Sequence, residues 1–125
     1  MNPHVVDYVR SPKGAVITRT KKQALGRAMS VKNASEIAHM MELVVSGGTG
    51  TRGQIPGVRV AGKTGTAETG VRGRNMTAFI AFAPVERPRV AIAVMLENQS
   101  GAGGTTAAPI AKEVMQAILR SGANP

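Results

Sequence analysis

The chain contains no cysteine and no tryptophan, and its only aromatic residues are Tyr8, Phe79 and Phe82. Without cysteine, a disulfide framework, a cysteine nucleophile and a thiolate metal site are all excluded. Because aromatic side chains are so scarce, we expect the core to be built from valine, isoleucine, leucine, methionine and alanine. Hydrophobic residues make up 42% of the 125 positions, which is enough for the modest core of one ordinary domain.

Long apolar runs and clusters of metal ligands are also lacking. No run reaches the ~18 apolar residues of a membrane span, and residues 1–7 do not have the pattern of a signal peptide. His4 and His39 lie far apart in sequence, and we expect His39 on the exposed face of a helix. The sequence therefore predicts no metal, no cofactor and no membrane segment in this chain; a secreted parent would carry its signal upstream.

Acidic residues are few: seven Asp and Glu stand against 16 Lys and Arg, giving a net charge of +9. Such a charge raises the question of a nucleic-acid partner. The basic residues are scattered, apart from Arg19-Thr20-Lys21-Lys22 and Arg72-Gly73-Arg74, and no aromatic residues lie between them for base stacking. We therefore expect no nucleic-acid partner. An anionic polymer of the cell envelope would fit the charge equally well.

The first part of the chain has the pattern of a β-hairpin. Two β-favouring runs, Val5 to Arg10 and Ala15 to Thr20, flank Ser11-Pro12-Lys13-Gly14. Proline presets one turn dihedral and glycine permits a positive one, so this tetrapeptide favours a turn.

The next part predicts a connection and then a helix. Lys21 to Val31 is polar and basic, with a possible helical turn at Ala24 to Met29. From Asn33 the apolar residues recur at helical spacing, Asn33 with Glu36 resembles a capping box, and Gly47-Gly48 ends the segment. The apolar residues at helical spacing are Ala34, Ile37, Met41, Val44 and Val45.

The glycine-rich run Gly47 to Gly53 is predicted to be a flexible connection. It follows a helix and lacks the Lys-Ser/Thr ending of a phosphate-binding loop. Three strands are predicted after it, Val58 to Ala67, Met76 to Ala83 and Arg89 to Leu96, joined by short polar segments such as Thr69 to Arg74. Short joints of this kind favour an antiparallel meander.

A last helix is predicted after the loop Glu97 to Gly104, and its apolar face needs a sheet to cover. That face consists of Ala107, Ile110, Ala111, Val114, Met115, Ile118 and Leu119. The predicted fold class is α+β, with an antiparallel sheet (the hairpin plus the three-strand meander) packed against the C-terminal helix. We expect a single domain over residues 1–125 and no second domain.

The predicted strand from Val58 carries Lys63-Thr64-Gly65-Thr66, which combines a cation, two hydroxyls and a backbone without a side chain. A glycine in a strand lets an extended peptide approach the backbone closely, and a lysine adds positive charge beside it. On these four residues alone, an ordinary exposed strand with a glycine bulge would be the better interpretation. Among other polar candidates, we expect Glu68, Glu97 and Asn98 to be solvated or structural, and Met40 and Met41 to belong to the core.

Taken with its surroundings, the K-T-G strand resembles part of a known domain. The chain resembles, nearly end to end, the C-terminal part of the transpeptidase domain of a class B penicillin-binding protein, of the actinobacterial penicillin-binding protein A type. The residues that carry the resemblance are Pro3-His4-Val5-Val6, Ser11-Pro12-Lys13-Gly14, Met40 to Val45, Gly48-Thr49-Gly50, Ala61 to Glu68, Ala78 to Pro84, Pro88, Val90 to Val94, Glu97-Asn98 and Ala107 to Ala111. The fold expected from the resemblance is a partial penicillin-binding (β-lactamase-like) fold.

The resemblance implies roles for the motif residues. Members of the family cross-link peptidoglycan stem peptides at D-Ala-D-Ala through a catalytic serine, and β-lactams trap that serine. Lys63 would supply positive charge and a hydrogen bond near the serine, and Thr64 would help to hold the substrate carboxylate. Gly65 would keep the strand open, and Thr66 would give its backbone N–H to the oxyanion hole. Lys63 and Thr66 are thus the catalytic candidates.

The chain departs from the family in what it lacks. None of its six serines begins an S-x-x-K or an S-x-N element. We therefore expect the chain alone to be inactive. The missing N-terminal half of the domain, with its serine, would come from another chain, or this polypeptide is part of a larger protein. The resemblance places the parent at the outer face of the cytoplasmic membrane, with a stem peptide or β-lactam as ligand. The alternative is a noncatalytic peptide-binding module that uses the exposed motif strand.

Overall fold

The structure, a computed structural model, describes residues 4–21 and 23–122. The chain forms two compact units, Met1–Val31 and Lys32–Pro125. The regular elements are β1 (Tyr8–Arg10), β2 (Val16–Arg19), α1 (Val31–Ser46), a short 3-10 helix (Thr51–Gly53), β3 (Ala61–Ala67), β4 (Asn75–Ala83), β5 (Val90–Gln99) and α2 (Gly103–Arg120).

The first unit contains the predicted hairpin. β1 and β2 pair antiparallel, and Gly14 closes the turn with a φ of 84° and an N–H donated to the Ser11 carbonyl at 2.9 Å. The guanidinium carbons of Arg10 and Arg19 lie 4.9 and 5.4 Å from the centre of the Tyr8 ring. Such cation–π contacts stabilise the strand pair from one face. The helical turn predicted at Ala24 to Met29 is wrong, since this segment has no helical residues.

The predicted helix is confirmed as α1, with a different start. It begins at Val31, two residues before Asn33, so Asn33 lies in the first turn and the predicted capping box is wrong. It ends before Gly47, as predicted. His39 is exposed as expected, whereas the prediction that Met40 belongs to the core is wrong because 57% of Met40 is exposed.

The predicted meander is also confirmed. β3, β4 and β5 form one antiparallel sheet in that order. β3 begins at Ala61 and not at Val58, which instead forms an isolated bridge with Ile55. Since β3 pairs only with β4 among the described residues, its other edge is open.

α2 packs against one face of the sheet, as its apolar periodicity predicts, and the core lies between them. The expected aliphatic core has an aromatic centre, because Phe79 on β4 is fully buried. Three glycines make room for its ring: a Cβ on Gly50, Gly53 or Gly62 would lie 3.1, 2.8 or 2.6 Å from a ring carbon. The buried apolar residues are Val45, Ile55, Val60, Ala61, Phe79, Ala81, Ala83, Ala107, Ala108, Ala111 and Met115.

Candidate active site

The motif residues lie along the open edge of β3. Lys63 and Thr66 are exposed, while Thr64 and Gly65 are half-buried. The Lys63 ammonium donates a hydrogen bond to the Thr64 carbonyl. The strand thus presents a cation, a hydroxyl and free backbone groups on one edge, the arrangement by which a sheet accepts an extended peptide.

Alternation along β3 sends neighbouring motif residues to opposite faces of the sheet. Lys63 is in register with Ile80, on the face that α2 does not cover. Thr64 is in register with the buried Phe79, on the side of α2. The lysine and the threonine hydroxyl therefore flank the open edge from its two sides.

Two other segments meet β3 at Thr64. The Thr49 hydroxyl, from the loop after α1, lies 2.7 Å from the Thr64 hydroxyl. A Cβ on Gly104, in the first turn of α2, would lie 1.9 Å from the Thr49 carbonyl oxygen and 3.4 Å from the Thr64 methyl carbon. A Cβ on Gly103 would lie 2.6 Å from the Gly65 carbonyl oxygen. The helix can approach the motif strand this closely only because it begins with two glycines.

A buried hydroxyl pair fixes the start of α2 beneath Thr66. Thr77, which is opposite Thr66 on β4, is fully buried, and its hydroxyl lies 2.8 Å from the Thr106 hydroxyl. Thr106 also donates to the Ala102 carbonyl at 2.9 Å. Since a buried hydroxyl without a partner is costly, this pair holds α2 and β4 in one relative position.

An ion-pair network lies before the motif strand. The Arg59 guanidinium binds Glu42 of α1 through two nitrogens and Glu86 of the β4–β5 connection at 2.8 Å. The hydrogen bond from Arg59 holds the pKa of the Glu42 carboxyl below its usual value, and its bonds to both carboxylates raise the pKa of Arg59. A cavity of about 260 Å³ beside this network is lined by Glu42, Gln54 and Ile55, among others, and by none of the motif residues.

The remaining polar candidates do not join the site. Glu68, Glu97 and Asn98 are all exposed, as expected for solvated residues. Within residues 4–21 and 23–122, no three His, Cys, Asp or Glu side chains come together as metal ligands. In the same part of the chain, no helix has the length and apolar character needed to cross a membrane.

Sequence reasoning missed two residues at this site, Thr49 and Gly104. Thr49 lies in the glycine-rich run predicted to be a flexible connection, although Gly48-Thr49-Gly50 is among the residues that carry the resemblance. That prediction is wrong, because the run contains the 3-10 helix Thr51–Gly53 and both Gly50 and Gly53 are buried. The pairing of two threonines 15 residues apart has no periodic signal. The glycines on both sides of Thr49 permit close backbone approach, but they do not indicate which residue Thr49 meets.

Comparisons with a family model, with known sequences and with solved structures all indicate the same protein family. The family model for the penicillin binding protein transpeptidase domain matches residues 1–116. Peptidoglycan D,D-transpeptidase PbpA of Mycolicibacterium smegmatis is 38% identical over 98% of this chain and 26% of its own length. Stage V sporulation protein D of Bacillus subtilis is 36% identical over 79% of this chain and 17% of its own length. Penicillin-binding protein A from Mycobacterium tuberculosis, solved as a ceftriaxone acyl-enzyme complex, superposes with a TM-score of 0.82 at 37% identity, covering 94% of this chain and 28% of that one.

The sheet, its covering helix and the K-T-G edge strand correspond to part of a penicillin binding protein transpeptidase domain. The chain belongs to the penicillin-binding protein transpeptidase family, in which it is similar to the class B proteins of the penicillin-binding protein A type. The resemblance predicted from the motifs is thereby confirmed. The chain spans about a quarter of the length of the mycobacterial relatives.

Proposed function

We propose that this chain supplies the substrate strand of a peptidoglycan D,D-transpeptidase. The open edge of β3, with Lys63 and Thr64 on its two sides, is the observation that carries the proposal. A stem peptide would add to this edge as a further strand, with its scissile bond beside Lys63 and its terminal carboxylate at the Thr64 hydroxyl. A β-lactam would occupy the same position.

The motif residues have separate roles in this proposal. Lys63 brings positive charge and a hydrogen bond toward the serine, and Gly65 leaves space for the peptide backbone. The Thr66 N–H stabilises the oxyanion that forms when the carbonyl carbon is attacked. Thr66 is exposed at the edge, and its neighbour across the sheet, Thr77, is held by the buried pair with Thr106, so this donor is preorganised.

The nucleophile would come from an N-terminal half of the domain. Its serine oxygen attacks the carbonyl of the penultimate D-Ala, the amide bond breaks, and the terminal D-Ala leaves with a proton on its amine. An amine of a neighbouring stem then attacks the ester, and the serine recovers its proton. The absence of an S-x-x-K serine from this sequence supports the view that the chain alone forms no acyl adduct. The parent would act in the cell envelope, at the outer face of the cytoplasmic membrane.

Labelling with a fluorescent penicillin, followed by intact mass, tests the proposal. We expect no label on the chain alone and a label on the serine of the upstream half when the chain is mixed with that half of the Mycobacterium tuberculosis relative. Lys63→Ala should lower the labelling rate by about a hundredfold, whereas Lys32→Ala, an exposed lysine on α1, should not. A penicilloyl adduct on the isolated chain, or equal labelling by the Lys63→Ala mixture, would contradict the proposal.

The open edge also favours a second candidate, a noncatalytic peptide-binding module. In that case the chain binds a D-Ala-D-Ala peptide reversibly, and mixing with the upstream half produces no penicillin label. The penicillin label separates the two candidates, because both predict binding of the peptide and only the catalytic one predicts labelling of the mixture.

A further inference from the structure

We propose that Thr49 is a positioning residue for this site: its hydroxyl holds the Thr64 hydroxyl so that Thr64 donates its proton to the carboxylate of the bound peptide. The inference rests on the proposed function, in which Thr64 holds that carboxylate. It adds a residue from outside the motif strand, in the loop after α1.

The Thr49 and Thr64 hydroxyls form a hydrogen-bonded pair that uses only one of their two protons. Thr49 Oγ1 and Thr64 Oγ1 lie 2.7 Å apart, so one of their two protons lies between the oxygens. Within the part of the chain that the structure describes, neither hydroxyl has a second hydrogen-bond partner. If Thr49 donates to Thr64, the free proton is that of Thr64, and it requires an acceptor.

An ionised carboxylate can only accept hydrogen bonds. A carboxylate at Thr64 therefore favours the arrangement in which Thr49 donates to Thr64 and Thr64 donates to the carboxylate. A hydroxyl that accepts a hydrogen bond becomes a better donor, because hydrogen bonds in a chain polarise one another. Thr49 would thus both orient the Thr64 hydroxyl and strengthen its bond to the carboxylate. Charge-assisted bonds of this kind are the stronger ones.

The loop holds Thr49 firmly enough for this role. The N–H of its neighbour Gly50 donates to the Val44 carbonyl at 2.9 Å, and Gly50 is buried against the Phe79 ring. On the other side, the Gly104 backbone lies against the Thr49 carbonyl. With its backbone fixed on both sides, Thr49 cannot leave Thr64 without opening the contact between the loop and α2.

A merely structural role for Thr49 would affect stability and not the recognition of a carboxylate. Three variants separate the two. Thr49→Val keeps the shape and removes the hydroxyl, and Thr49→Ser keeps the hydroxyl. Thr51→Val makes the same exchange at an exposed threonine two residues further on.

The experiment is NMR spectroscopy on the isotope-labelled 125-residue chain. Three-bond couplings report the χ1 rotamer of Thr64, and titrations compare N-acetyl-D-Ala-D-Ala with its C-terminal amide. We expect one Thr64 rotamer in the wild type, Thr49→Ser and Thr51→Val, and averaging in Thr49→Val. The preference for the free acid over the amide should fall by about tenfold in Thr49→Val only. Adding Thr49→Val to Thr64→Val should cause no further loss.

An unchanged Thr64 rotamer in Thr49→Val would overturn the proposal. So would an unchanged acid-to-amide preference, or a wild-type chain that does not distinguish the two peptides. These outcomes are read without the serine, whereas failure of the proposed function is read from the penicillin label in the mixture. The two failures are therefore distinguishable.

Discussion

At Gly65 the absence of a side chain serves a bound peptide and is not required by the fold. A Cβ on Gly65 would meet only the Ala78 Cβ, at 3.6 Å, which is an ordinary contact. The other glycines of the site differ: a Cβ on Gly62 or Gly104 would collide with the Phe79 ring or with the Thr49 carbonyl. The fold therefore requires glycine at 62 and 104, while at 65 it has room for a side chain.

Replacing Gly65 by valine should abolish peptide binding and leave the fold intact. A β-branched side chain suits a strand, so we expect the free energy of unfolding to change by less than about 1 kcal/mol. The same side chain would stand where the peptide backbone approaches the edge. Calorimetric titration with N-acetyl-D-Ala-D-Ala and thermal denaturation measure the two quantities.

Ala67→Val is the matched control, since Ala67 is exposed two residues further along β3 and on the same face. It should retain peptide binding. Full binding by Gly65→Val would show that the peptide does not lie along this part of the strand. Equal loss in both variants would show that binding does not depend on the missing side chain at Gly65 in particular.

For the helices and strands, the sequence pattern predicted which elements form better than it predicted where each begins and ends. The apolar spacing predicted α1 and α2, and the short polar joints around apolar runs predicted β4 and β5. Of the helix α1, only Val45 is buried, so its apolar spacing indicated the helix without indicating a packed face. The start of α1 at Val31 was missed because Asn33 and Glu36 fit a capping box that the chain does not use. The partnership of Thr49 with Thr64 could not be predicted, since it depends on how closely α2 approaches two other segments.

Arg59 links the segment before β3 by charge to α1 and to the β4–β5 connection, and the strength of these ion pairs should depend on pH. The pKa of Glu42 is lowered in the folded chain by the hydrogen bond from Arg59. A carboxyl with a depressed folded pKa contributes stability that is complete above its unfolded value of about 4.3 and is lost as the pH falls through the folded value. We therefore expect wild type to exceed Glu42→Gln in urea midpoint near neutral pH, with a difference that shrinks as the pH falls below the unfolded pKa and is lost through the lowered folded pKa of Glu42.

Glu113→Gln provides the charge-matched control, because Glu113 is exposed on α2. It should shift the midpoint little at any pH. High salt should also reduce the effect of Glu42→Gln, since an exposed ion pair is screened. A difference between wild type and Glu42→Gln that persists at low pH would mean that Glu42 stabilises α1 by packing and not by its charge.

The face of the β3–β4–β5 sheet that α2 does not cover exposes large apolar side chains. Ile80 and Met95 are 47% and 63% exposed there, and register places Lys63 beside Ile80. On α1, Met40 and Leu43 are also more than half exposed. Exposed apolar surface of this extent on a small chain favours association. The serine of the upstream half would have to reach Lys63. Because this face lies next to Lys63, the upstream half would come close to the face.

We expect the isolated chain to self-associate through this face and to bind a hydrophobic dye. The double variant Ile80→Lys, Met95→Lys should be monomeric with less dye fluorescence, because two charges on the face cannot be buried without partners. Val114→Lys, at a partly exposed site on α2, should leave both properties unchanged. Sedimentation velocity and dye fluorescence measure them.

Adding the upstream half of the Mycobacterium tuberculosis relative separates two origins of that association. If the upstream half binds to this face, the mixture should lose dye fluorescence and gain the penicillin label. The double lysine variant should then show neither change. If the face pairs with a second copy of the chain, the upstream half should leave both dye binding and self-association as they were. The lysine variant would then be monomeric, yet its mixture would still accept penicillin, because the serine would reach Lys63 by another route.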